Sequence, residues 1–176
     1  MNIGQAILPE FDHEMANTRK MLELLPDNQW NWKLHEKCGT VGWYGLHLAT
    51  LPGWATMTLS TEHFDYAPVG GPGFQMPKIE NRQQALAEFD KGVAEARAAI
   101  ATASDADMLK DWSLLAGGKT IFTMPRIACL RSMVFNHIIH HRGQLTMFYR
   151  QLGIPVPGLY GPSADEMQQS SAGAAN

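Results

Sequence analysis

Cysteine is nearly absent from this chain of 176 residues: Cys38 and Cys129 are far apart and show no C-x-x-C spacing. Two cysteines so placed read as reduced thiols in a reducing compartment, and neither is a strong ligand candidate. No stretch approaches eighteen uncharged apolar residues, so no membrane-spanning helix is expected. The N-terminal run MNIGQAILPEFDHE lacks the basic segment and apolar core of a secretory leader, and the expected location is cytoplasmic. A surplus of positive charge is missing too. Fourteen Lys and Arg are scattered among 17 Asp and Glu, and the formal charge of −3 offers nucleic acid no basic stripe. No internal repeat is apparent.

Apolar residues make up 45% of the chain, which suffices for one full core, so residues 1–166 read as a single domain. The polar, small residues after Tyr160 are expected to fray, with 167–176 as a tail outside that domain.

The dominant pattern is helical. Phe11, Met15, Met21, Leu22 and Leu25 recur at roughly helical spacing, with Pro9 suited to a first turn and Pro26 ending the run. This predicts a first helix over residues 9–25. Thr40 can cap a second helix carrying Val41, Tyr44, Leu48, Leu51, Ala55 and Leu59, interrupted at Pro52-Gly53 just after His47. Residues 61–80 are too rich in Gly and Pro for a regular element and read as a long connection. Asn81 can cap a third helix to about residue 103, with Ala85, Leu86, Phe89, Val93, Ala96 and Ile100 inward. A further helical turn fits 104–110, and DWSLLAGGKTIFTMP reads as a hairpin turning at Gly117-Gly118. The last helix is expected from near Pro125 to Leu152, with Gly153 just past its end and Pro155 preventing continuation. These elements predict an all-α four-helix bundle with a crossover connection and a small β-hairpin insertion before the last helix.

One run stands out for chemistry. In NHIIHHRGQL, His137 and His141 are four residues apart, one turn apart on one face of the last helix. Leu130, Val134, Leu145, Phe148 and Leu152 share that face, whereas Arg131, Arg142 and Arg150 fall away from it. His47 shares a face with Tyr44, Leu48 and Leu51 on the second helix and is the best third ligand, since bundle-core metal sites draw side chains from facing helices. Spacing alone leaves two readings open: a metal site of His47, His137 and His141, or core histidines satisfied by hydrogen bonds. His13, His35 and His63 read as surface or loop residues, and His140 as surface or interface. Gln144 and Asn136 are candidates for hydrogen bonding to the ligands.

The combination of HLATLPGW on the second helix with the terminal block HIIHHRGQLTMFYRQLGIPVPGLYGPSADE resembles the DinB-like superfamily of metal-binding four-helix bundles over nearly the whole chain. His141-Arg142-Gly143-Gln144 is the most specific part. The resemblance implies a three-histidine metal site at His47, His137 and His141. It also implies relatives that include thiol-dependent S-transferases and a mycothiol-dependent maleylpyruvate isomerase. DinB-like domains of ergothioneine-pathway oxygenases typically place Glu two residues after the last histidine, where this chain has Gly143. Gly143 is instead read as permitting close helix approach.

Three protein ligands leave a coordination position open, where a thiol loses its proton outright and water has its pKa lowered toward ~7. The expected cofactor is a divalent ion, zinc first with nickel or iron behind it, together with a low-molecular-weight thiol as cosubstrate. The expected function is thiol S-transfer or hydrolysis on a small molecule; the alternative is a non-catalytic metal-binding or stress-associated bundle. Trp30, Trp32 and Trp43 are expected to form an exposed aromatic patch covered in a homodimer, or else to cap the bundle's own core.

Overall fold

Asn2 opens the first element, its side chain accepting the Gln5 N–H at 2.8 Å while Asp105 Oδ1 takes the Ile3 N–H at 2.6 Å. In the computed structural model, which describes residues 2–173, α1 therefore runs over Ile3–Leu22. Pro9 lies inside this helix, which corrects the expected start there. Proline deprives the Gln5 carbonyl of its helical donor, but Gln5 and Pro9 are both exposed and solvent replaces the bond. The helix ends at Leu22, earlier than expected, although Leu25 remains fully buried one turn further on.

Thr40 caps α2, Val41–Thr50, by accepting the Trp43 N–H at 3.0 Å, and the chain breaks at Pro52 before α3, Gly53–Ser60. After the long connection, Asn81 caps α4, Arg82–Thr102, with Ala85, Phe89, Ala96 and Ile100 buried. A single turn follows as α5, Asp105–Met108. The last long helix is continuous from α6, Arg126–Cys129, through a π-helical stretch, Leu130–Asn136, into α7, His137–Gln151. The π stretch is absent from the sequence reading, because a widened turn leaves no composition signature.

Before that helix, β2, Asp111–Ala116, and β3, Lys119–Pro125, form the expected antiparallel hairpin. Gly117 and Gly118 turn it with φ of 59° and 74°, the positive values that a tight two-residue turn requires. The connection expected to be irregular contributes β1, His63–Asp65, parallel to β2 with His63 opposite Ser113, so the sheet has the order β1-β2-β3. Asp65 ties the two parts together by accepting the Gly117 and Gly118 N–H groups at 3.0 and 2.7 Å. A strand of three residues is too short to show a period in sequence.

The main core joins Phe11, Met15, Leu22, Leu48, Phe89, Phe135 and Ile138 from four helical layers. A smaller one gathers Trp112, Leu114 and Cys129 between the sheet and the bundle, with Trp54, Met57 and Met133 against it. Of the two readings of the tryptophans, Trp30 and Trp32 follow the second, lying half-buried against the main core, whereas Trp43 is 43% exposed. The segment expected to fray after Tyr160 carries α8, Ala164–Gly173. Asp165 accepts the Val156 N–H at 2.9 Å and pairs with Arg150, while Glu166 accepts from Gly158 and Ser163, so two carboxylates hold this helix to the preceding loop. The expected tail residues 174–176 lie outside the described residues. No helix among the described residues is long and apolar enough to cross a membrane.

Candidate metal centre

The buried face of the last helix takes in Leu130, Val134, Leu145 and Phe148, as expected, and extends beyond them to Phe135, Ile138, Arg142 and Tyr149. Arg142, expected on the outer face, therefore lies in the core, where it is 1% exposed. Its guanidinium donates to Glu14 Oε2 at 2.6 Å, to the Glu14 carbonyl at 3.0 Å, to Thr18 Oγ1 at 3.1 Å and to the Tyr160 hydroxyl. Tyr160 in turn donates to Glu14 at 2.8 Å. An arginine is read as a surface residue because burying its charge alone is costly; here a buried carboxylate on α1 offsets that cost.

His137 and His141 consequently sit half-buried at the border between α7 and α2, facing His47. The three residues each turn one ring nitrogen into a common point, and those atoms all lie within 4.8 Å of one another. Nε2 of His47 is 3.2 Å from Nε2 of His137. Two ligands of a tetrahedral ion with bonds of about 2.0–2.1 Å are separated by about 3.3 Å, so this spacing suits a shared cation. The ring centroids are 4.9, 4.6 and 4.7 Å apart for the pairs 47–137, 47–141 and 137–141.

Hydrogen bonds on the far side of two rings set their tautomers. Nδ1 of His137 donates to the Met133 carbonyl at 3.3 Å, and Nδ1 of His141 donates to Gln144 Oε1 at 2.7 Å. Both acceptors lack a proton, so Nδ1–H is required and Nε2 keeps a lone pair aimed at the cluster. Gln144 thus occupies its expected place, whereas Asn136 is exposed and makes no side-chain bond to a histidine among the described residues. Burial and the nearby His141 and His137 push the His47 pKa down to about 4. His137 and His141 are also lowered, chiefly by burial, against opposing hydrogen bonds to Met133 and Gln144. All three imidazoles are therefore neutral near pH 7, the state a metal ion requires.

Among the described residues no carboxylate or thiol joins the three histidines. His13, next to Asn17, and His35, next to Lys37, are exposed, as are His63 on β1 and His140 on α7. Cys129 is buried against Thr58, and burial raises its thiol pKa. Gly143 is exposed, and a Cβ there would meet nothing within 4 Å, which corrects the expected role in helix approach. Sequence reasoning treated Trp43 as a surface residue and missed its contact with the site: its indole stacks on the His47 ring, with centroids 4.9 Å apart and planes 16° apart. The available signal was the spacing Trp43–His47, one helical turn.

The match to solved structures agrees with this architecture. A DinB-like protein from Bacillus cereus ATCC 10987 superposes with a TM-score of 0.67 at 24% identity, covering 90% of this chain and 98% of that one. A second, YjoA from Bacillus subtilis, gives 0.66 at 14% identity over 88% and 97% of the two chains. In sequence, 43 residues are 46% identical to the uncharacterized protein YrdA of Bacillus subtilis (strain 168), a match spanning 24% of this chain and 25% of that relative. The model of the DinB family matches residues 2–173, and with the four-helix bundle beneath it, this chain belongs to the DinB family.

Proposed function

We propose that this DinB-family protein binds one divalent metal ion through His47, His137 and His141 and uses the open coordination position to activate a small thiol for transfer to an electrophilic substrate. The observation that carries the reading is the convergence of three ring nitrogens within 4.8 Å, two of them held in the ligating tautomer from behind. When bound, the ion supplies the positive charge that deprotonates a coordinated thiol or lowers the pKa of water. The residues fit that role. Three neutral donors leave the double charge of the ion uncompensated, and the half-exposed rings leave one side open to ligands.

Thiol transfer ranks ahead of hydrolysis because a coordinated thiol loses its proton outright, whereas coordinated water is brought only to a pKa of about 7. Zinc is the leading metal on donor chemistry, with nickel and iron accepted by the same imidazole set. The second reading, a metal-binding bundle without turnover, draws on the same cluster and predicts metal content without reaction.

Elemental analysis of tag-free protein tests the site, with about one ion per chain expected. A screen of electrophiles with and without low-molecular-weight thiols tests the reaction. Thiol-dependent turnover abolished by chelation supports transfer; metal content with no turnover across the screen favours the non-catalytic reading. Failure to take up zinc, nickel or iron at micromolar concentration overturns the metal centre itself.

A further inference from the structure

We infer that Trp43 is the positioning residue for His47, holding the one histidine of the cluster whose ring no hydrogen bond orients from behind. The inference rests on the metal-centre reading and concerns how this chain prepares the site. His137 and His141 are each fixed through Nδ1, by the Met133 carbonyl and by Gln144. Among the described residues, Nδ1 of His47 has no such protein partner. Its ring instead lies parallel to the Trp43 indole, at 4.9 Å and 16°, while the rings of His137 and His141 meet it nearly edge-on, at 69° and 85°. Face-to-face contact fixes the plane of the histidine ring about its last side-chain torsion, and of the two orientations that share this plane the observed one turns Nε2 toward Nε2 of His137, 3.2 Å away.

The indole is itself held firmly. Its backbone N–H is bonded to the Thr40 cap at 3.0 Å, and its ring meets Tyr44 edge-on at 4.9 Å and His141 at 5.6 Å. On the N-terminal side it lies against Gly39, where an added Cβ would come within 2.6 Å of Cε3 of the indole. Glycine at 39 is therefore what lets the indole reach this position. Yet Trp43 remains 43% exposed, so the ring contributes little to the core and is placed beside the site rather than beneath it.

Cobalt(II) titration of the metal-free protein, followed by visible absorption, tests this. Cobalt reports both affinity and ligand geometry, and it accepts the same imidazole donors as zinc. Trp43→Ala is expected to weaken cobalt binding by about tenfold to a hundredfold and to alter the absorption envelope, with the melting temperature of the metal-free protein near that of wild type. Trp43→Phe keeps an aromatic face and is expected to restore most of the affinity and the wild-type spectrum. Gly39→Val, which alters no group of the cluster, is expected to weaken binding by displacing the indole and to add little further loss on top of Trp43→Ala. Wild-type affinity and spectrum in Trp43→Ala overturn the inference while leaving the metal centre standing. So does a loss of affinity that tracks a matching loss of metal-free stability, or one that Phe does not rescue. Wild-type protein that takes up no cobalt overturns the metal centre and this inference with it.

Discussion

His141 and Arg142 follow one another on α7, and the helix turns them about 100° apart into two polar clusters of opposite construction. On the Arg142 side, Glu14, Thr18 and Tyr160 supply partners to the guanidinium, and both Arg142 and Glu14 are almost fully buried. On the His141 side, three imidazoles turn nitrogens toward one another with no carboxylate among the described residues, at half burial. The first cluster has its charge balanced within the protein. The second has lone pairs in excess of donors, the arrangement that the proposed metal ion would balance. Charge closure and burial mark a tie that holds α1 to α7; lone-pair excess and exposure mark a site.

The sharpest way to break this comparison is to substitute each cluster and ask which one the fold needs. Arg142→Ala leaves Glu14 buried without its counterion, and a loss of about 3–5 kcal/mol in unfolding free energy is expected from urea denaturation. Stability near wild type would show that the ion pair does not tie the helices together.

His141→Ala is expected to lose metal binding while the metal-free protein keeps its helical circular dichroism and cooperative melting. The bundle draws its stability from apolar burial along long helices. Loss of helicity at room temperature, in this variant or in wild type with EDTA, would mean that the histidine cluster is structural in the way the arginine cluster is.

A smaller, graded effect comes from pH. The folded pKa of His47 is depressed to about 4 against an ordinary value of 6.5, so its neutral form is favoured by folding. That contribution is present in full above the unfolded value and is lost as pH falls from about 6.5 through about 4, with His137 and His141 shifted in the same direction. Thermal melting of metal-free protein across this window is expected to show falling stability toward acid, and His47→Gln is expected to flatten the slope. Metal affinity is expected to decline over the same range, because protons compete for the ligand nitrogens.

The smallest expected effect is that of His140→Ala. His140 adjoins His141, with ring centroids 4.9 Å apart, yet it is exposed and stands outside the converging set. Metal content close to one ion per chain is expected by elemental analysis; loss of the ion would redraw the cluster.

Where local rules apply, the sequence was readable. The caps Asn81 and Thr40, the break at Pro52-Gly53, the turn at Gly117-Gly118 and the stop at Gly153 all act within a few residues of themselves. The pair His137 and His141 was legible for the same reason, since helical period alone puts residues four apart on one face. His47 required facing helices to be paired, and the bundle brings it within reach.

Other features depend on partners distant in the chain. Pro9 became a helix interior because Asn2 and Asp105 anchor the backbone before it, and Arg142 became a core residue because Glu14 lies on a helix packed against it. The parallel strand β1 exists only where β2 offers it an edge, and α8 is held through Asp165 and Glu166 to the loop before it. The sequence by itself determined the helical period, the capping and turn positions and the presence of two adjacent imidazoles, because each follows from backbone geometry over a single turn. Only the tertiary structure decided how far the buried face of the last helix extends, which charge is neutralised there and which aromatic ring lies on His47, because burial and pairing are set by groups that the chain brings together only on folding.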